Sequence, residues 1–145
     1  MNVAGEPTPG AVQALHAARD AGRHVTIVSN NSAECVRQYL TLHGILSAVD
    51  EIIGRPALRT DLMKPSPHPL LTAAAVFGLA ADLMVLVGDS VTDVEAAHAA
   101  GAKSIGYVNK PGKDASLADA GADVMVFAMR EIADCLVALR PCPMW

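Results

Sequence analysis

Aromatic side chains are nearly missing from this sequence, which has one Trp, two Tyr and two Phe in 145 residues. A chain that is 52% hydrophobic yet only 3% aromatic must build its core from Ala, Val, Leu and Ile, as close-packed helices on a sheet allow. Cysteine is scarce and odd in number. Cys35, Cys135 and Cys142 form neither a C-x-x-C pair nor a zinc-ligand spacing, so a disulfide scaffold is excluded and a reduced, cytoplasmic compartment is expected. No apolar run approaches the roughly 18 residues of a membrane span, and no signal peptide is recognisable, so a soluble protein with no membrane partner is expected. Excess positive charge is lacking too: eleven Lys and Arg against fifteen Asp and Glu leave a net charge of -4, which speaks against nucleic acid as a partner. Repeats, low-complexity tracts and linkers are absent, and residues 1–145 read as a single domain able to bury a core without staples.

Helix and strand signals alternate along the chain. Thr8 as cap and Pro9 at the first position predict a helix to about Ala21, stopped by Gly22. The β-branched stretch "HVTIVSNN" predicts a strand over Val25–Val28 that ends in small polar residues. Ser32 caps a second helix running to His43, with Val36, Tyr39 and Leu40 on one face and Gly44 at its end. A short apolar step, "DEIIGR", and a loop precede a third helix, "LLTAAAVFG", with Ser66 as cap and Pro67 at its first position. "LMVLVG" reads as a fully buried strand, and a fourth helix spans Asp93 to Ala100, closed by Gly101. "KSIGYV" (strand), "SLADAG" (short helix), "DVMVF" (strand) and "REIADCLVAL" (helix) complete the order. Strands that read as continuous apolar runs between helices indicate an α/β fold with a parallel sheet covered on both faces. The tail "PCPMW" reads as a loosely held end or a patch folded onto the body, with a contact in a dimer as the third reading.

In such sheets ligands bind beyond the carboxyl ends of the strands. Three clusters sit there: Ser29 with Asn30 and Asn31, Lys64 in "MKPSP", and Asp89 with Asp93 in "VLVGDSVTDVEAAHAAG". Singly, Ser29 is a turn hydroxyl, Lys64 a solvated lysine and Asp93 a helix cap. Asp89 resists the bland reading, because a carboxylate directly after a buried strand needs a cation or several donors. Together, a hydroxyl and amides hold phosphate oxygens, a lysine neutralises them, and carboxylates hold Mg²⁺. This is the inventory of phosphoryl transfer, which is mostly positioning and charge neutralisation.

"VTIVSNN", "KPSP" and "VGDSVTDVEAAHAAG", in that order and spacing, resemble three motifs of the haloacid dehalogenase-like superfamily of phosphatases, over residues 9 to about 139. "KPSP" is similar to the phosphoglycolate phosphatase and β-phosphoglucomutase-like branch. The resemblance implies a Rossmann-like three-layer α/β/α fold and Mg²⁺-dependent hydrolysis of a small phosphorylated metabolite. It assigns Ser29 and Lys64 to the transferring phosphoryl group, Asn30 to substrate binding, Asp89 to the metal, and Asp93 to the metal or its support.

The family's opening strand, which ends in D-x-D and supplies the nucleophile, has no counterpart here: the acids before "VTIVSNN" are Glu6 and Asp20, and neither follows an apolar strand. Asp50, Asp61 and Asp82 lie in loops and are not expected to substitute. The chain thus reads as the last two-thirds of such an enzyme, holding Mg²⁺ weakly and inactive alone. The rival reading is a catalytically inactive domain that binds phosphate or a partner. A receiver-like or flavodoxin-like domain fits the order Ser29, Lys64, Asp89 badly. In the family's sheet the missing strand lies between those ending at Ser29 and Gly88. Its loss leaves two strand edges that must close on each other or be filled by a homodimer or a strand-donating partner chain.

Overall fold

The computed structural model describes residues 9–55 and 60–138. The elements, in order, are α1 (Ala11–Asp20), β1 (Thr26–Val28), α2 (Ala33–Leu42), β2 (Glu51–Ile53), α3 (His68–Phe77), β3 (Val85–Gly88), α4 (Val91–Ala100), β4 (Lys103–Tyr107), α5 (Lys113–Ala120), β5 (Val124–Val126) and α6 (Met129–Ala138). Short 3-10 turns precede β2, α3 and β3. Among the described residues no helix is long and apolar enough to cross a membrane.

Local signals account for most boundaries. Ser32 caps α2 by accepting from the Cys35 amide, and Gly101 closes α4 in the left-handed conformation that its φ of 83° requires. Several boundaries differ from expectation; helix α5, expected over "SLADAG", already begins at Lys113. Helix α1 starts after Gly10, and Thr8 lies outside the described residues, as does the "PCPMW" tail. Pro67 is the N-cap of α3, while Ser66 still contributes by accepting from the His68 amide. Helix α4 begins at Val91, because Ser90 and Asp93 form a capping box: Ser90 Oγ accepts from the Asp93 amide and the Asp93 carboxylate accepts from the Ser90 amide.

All strand pairs are parallel, but the sheet is in two pieces. β1 pairs with β2, and β3, β4 and β5 pair in that order, with no ladder between β1 and β3. Helices hold the pieces together. On one face Val36, Tyr39 and Leu40 of α2 pack with Val12 and Leu15 of α1 against Ile27 and Ile52; α1 also runs along α6, which packs on β5. On the other face Leu70 of α3 packs with Ala96 and Ala97 of α4 against Val28, Met84 and Leu86. Neighbours Ile27 and Val28 thus serve opposite clusters, as alternation along a strand requires.

The expectation that "LMVLVG" is fully buried is overturned. Val85 is 47% and Val87 36% exposed, because among the described residues β3 has a strand neighbour on one side only. Among the described residues the two edges share no ladder, and β1 and β3 are joined through Leu70 of α3 and Ala96 and Ala97 of α4, against which Val28 and Leu86 both pack.

Candidate functional site

A cavity of about 590 Å³ opens at the carboxyl ends of β1 and β3, lined by Val28, Ser29, Asn30, Lys64, Asp89 and Asp93 together with Ile27, Asn31, Met63, Ser90 and Thr92. The fold therefore brings all five predicted site residues to one place, from segments up to 64 positions apart in the sequence.

Lys64 is its centre. The Lys64 ammonium donates to the carbonyl of Val28 at 3.3 Å and forms a very short ion pair with Asp93. The two side chains are 12% and 9% exposed, so each charge depends on the other for compensation. Asn30 fixes the lysine by its main chain: its Oδ1 accepts from the Lys64 amide at 3.0 Å and its Nδ2 donates to the Lys64 carbonyl at 3.5 Å. Each end of the Asn30 amide thus makes one hydrogen bond to the Lys64 main chain, which ties the Lys64 loop to the end of β1.

Asp93 is similarly committed. Its Oδ1 meets Lys64, and its Oδ2 accepts from the Ser90 amide and hydroxyl at 3.3 and 2.9 Å. Both Asp93 carboxylate oxygens are thus engaged by Lys64 and Ser90. The glycine that stops the apolar run makes this possible: a Cβ on Gly88 would collide with the Asp93 carboxylate. Ser29 Oγ accepts from the Asn31 amide at 3.0 Å, forming the turn at the end of β1 while keeping its own hydroxyl proton for donation.

Asp89 is exposed at the mouth and not locked in the protein's own network. Its Oδ2 accepts from Asn109 Nδ2 at 2.9 Å, and Lys113 Nζ donates to its backbone carbonyl at 2.8 Å. Neither Asn109 nor Lys113 was singled out from sequence, although "YVNKPGK" also follows a strand and the same rule applied to β4 would have found them. Among the described residues no group of three or more His, Cys, Asp and Glu side chains is placed to hold a metal. The donor set is oxygen-rich and so of the type Mg²⁺ takes, but it offers one uncommitted carboxylate, leaving the other positions to phosphate oxygens and water.

The alternative acids lie elsewhere. Asp50 sits at the start of β2, bonded to the Arg19 side chain and the Val25 amide. Asp82 is in the turn leading into β3, and Asp61 does not line the cavity.

A haloacid dehalogenase-like hydrolase family model matches residues 3–107. The chain belongs to that family. A phosphoglycolate phosphatase of Nitrosococcus oceani is 37% identical over 92 residues, which are 63% of this chain and 40% of that protein. The plasmid-borne phosphoglycolate phosphatase of Cupriavidus necator is 32% identical over 143 residues, 96% of this chain and 59% of its own length. Among solved structures, a haloacid dehalogenase family hydrolase of Deinococcus radiodurans with bound phosphate and sodium superposes with a TM-score of 0.78 at 30% identity, covering 90% of this chain and 58% of that one. A predicted phosphoglycolate phosphatase of Haemophilus somnus gives 0.80 at 27% identity, covering 92% and 60%. The chain spans less than two-thirds of each of these family members.

Proposed function

We propose that the chain carries the phosphate-binding and metal-binding half of a Mg²⁺-dependent hydrolase of small phosphate monoesters, and that it binds phosphate without turning it over alone. The observation that carries this reading is the Lys64 ammonium held by Asn30, Val28 and Asp93 at the wall of a cavity that also presents the Ser29 hydroxyl and the Asp89 carboxylate. A phosphoryl group seated there has its charge neutralised by Lys64 and accepts a hydrogen bond from Ser29. Mg²⁺ on Asp89 supplies further neutralisation of the phosphate oxygens. Hydrolysis also needs an in-line nucleophile, and among the described residues the carboxylates lining the cavity are Asp89, placed for the metal, and Asp93, locked on Lys64 and Ser90. The phosphoglycolate phosphatases among its relatives, and the phosphate bound in the Deinococcus structure, support a phosphate monoester as the ligand class.

The same locking of Asp93 favours the second reading, a domain that binds phosphate and catalyses nothing in any assembly. The test combines titration with inorganic phosphate and an aryl phosphate hydrolysis assay, with and without Mg²⁺, using wild type, Ser29→Ala, Lys64→Met and Asp89→Asn. Phosphate binding is expected to be lost in Lys64→Met, with Mg²⁺ binding weak and abolished in Asp89→Asn. Turnover is expected to stay at the Asp89→Asn level. Phosphate binding indifferent to Lys64 sinks the site assignment, tight Mg²⁺ binding contradicts the one-carboxylate count, and Asp89-dependent turnover shows that a nucleophile is present.

A further inference from the structure

We infer that the turn "NKPGK" between β4 and α5 is a clasp for the Asp89 carboxylate, with Asn109 as the positioning residue that holds one carboxylate oxygen and leaves the other to the cation. This rests on the reading of Asp89 as a metal ligand and adds to it a residue from a different strand.

The fold brings the clasp to the end of β3. β3 and β4 finish side by side, with Gly88 opposite Gly106, and the Val108 amide carries the β4 segment one step further by donating to the Val126 carbonyl at 2.8 Å. The chain then turns. Gly112, which follows Pro111, has φ 87° and ψ -14°, and the Lys113 amide closes the turn on the Lys110 carbonyl at 3.2 Å. This is type II geometry, which favours proline at the second position and needs glycine or a residue like it at the third. Asn109 stands just before the turn and Lys113 at its end, and both reach Asp89. Asn109 Nδ2 donates to Oδ2 at 2.9 Å, and Lys113 Nζ donates to the main-chain carbonyl at 2.8 Å.

The placing of the two donors decides what the clasp does. Asp89 is exposed, and an exposed aspartate held by nothing samples several χ1 rotamers and a broad χ2. The Asn109 bond fixes Oδ2, and among the described residues Oδ1 has no hydrogen bond. The donor on the carboxylate is a neutral amide, which orients it without cancelling its charge. The donor that carries charge, Lys113, sits on the neutral carbonyl instead. Among the described residues no ammonium or guanidinium pairs with the Asp89 carboxylate, whereas Asp93 has Lys64. Asp89 therefore keeps the negative charge that a hard cation requires while being held in one orientation. Partners that orient a ligand in this way govern metal affinity without touching the metal.

The test uses the full 145-residue chain, MgCl₂ at constant ionic strength as the probe, and the variants Asn109→Leu, Asn109→Lys and Asp89→Asn. Mg²⁺ affinity is read from amide chemical shifts, the Asp89 χ1 rotamer from three-bond couplings without metal, and inorganic phosphate affinity from a separate titration without Mg²⁺. Asn109→Leu is close in size and has no donor. It is expected to average the Asp89 rotamer and weaken Mg²⁺ binding about tenfold, with phosphate affinity and the urea midpoint unchanged. Asn109→Lys keeps a donor and adds a charge, so it is expected to leave Asp89 in one rotamer and still to weaken Mg²⁺ binding as much. Unchanged Mg²⁺ affinity in Asn109→Leu, with binding lost in Asp89→Asn, overturns the clasp and leaves the metal reading standing. An Asp89 rotamer already averaged in the wild type, or wild-type Mg²⁺ affinity in Asn109→Lys, also overturns the clasp alone. A lowered urea midpoint and weaker phosphate binding in Asn109→Leu overturn it in favour of a structural role. Mg²⁺ binding that is absent from the wild type or survives Asp89→Asn overturns the metal reading itself, and the clasp with it.

Discussion

Lys64 and Asp93 show how much a single pair carries. The ion pair is mostly withdrawn from water, so removing one partner leaves an uncompensated charge that neither solvent nor another side chain fully meets. Lys64→Met is expected to lower unfolding stability by about 3 kcal/mol. The double variant Lys64→Met/Asp93→Asn is expected to regain most of that loss in urea unfolding. Equal losses in the single and double variants would show that the pair contributes through packing and not through charge. Gly88 is the second residue on which the site rests, because α4 starts so close to β3 that the Asp93 carboxylate occupies the space of a side chain. Gly88→Ala is expected to cost about 1–3 kcal/mol through overpacking and to weaken phosphate binding with it. A variant of unchanged stability would mean that the α4 terminus moves freely away from the strand.

Among the elements, α4 connects cap and site in one motif. The Asp93 carboxylate that completes the capping box is also the counter-ion of Lys64. Ser90→Ala removes the acceptor for the Asp93 amide and the 2.9 Å bond to Asp93 Oδ2. A stability loss of about 1 kcal/mol is expected by thermal or urea unfolding. The elements were also where sequence reading succeeded best. "VTIV", "AECVRQYL" and "EAAHAAG" declare their type through local periodicity, caps and terminal glycines, which act over a few residues and so are written in the sequence. "LMVLVG" was correctly recognised as a strand and wrongly expected to be buried, because exposure depends on a neighbour that local sequence does not contain.

For the molecule as a whole, two carboxylates tie distant elements together and set its acid sensitivity. The Val25 amide, with Arg19 beside it, holds Asp50 below the usual carboxylate range against a smaller opposing effect of burial. The Ser104 amide, with His98, does the same for Asp123. A depressed pKa in the folded state means that the unfolded chain binds protons more readily. Stability from these groups is therefore complete above the unfolded value near 3.8 and is lost as the pH falls below it through the folded values. Urea unfolding is expected to show a decline below about pH 4 that is shallower in Asp50→Asn, whose already lower stability no longer depends on that proton. Identical slopes in the two proteins would remove Asp50 from the account.

The sequence by itself determined the α/β class, the order of helices and strands, and the identity of the residues that meet at the cavity, because "SNN", "KPSP" and "GDSVTD" sit at strand ends and entry loops where a parallel sheet collects its ligands. Only the tertiary structure decided how these residues pair. Asn30 bonds to the Lys64 main chain, Asp93 to Lys64 and Ser90, and Asp89 is left to the mouth beside Asn109 and Lys113. It alone decided, too, that among the described residues β1 and β3 share no ladder. Hydrogen-bond partners across 20 to 36 positions of sequence are set by the packing of α3, α4, α1 and α6, and no local signal encodes the distance between two strands that share no ladder.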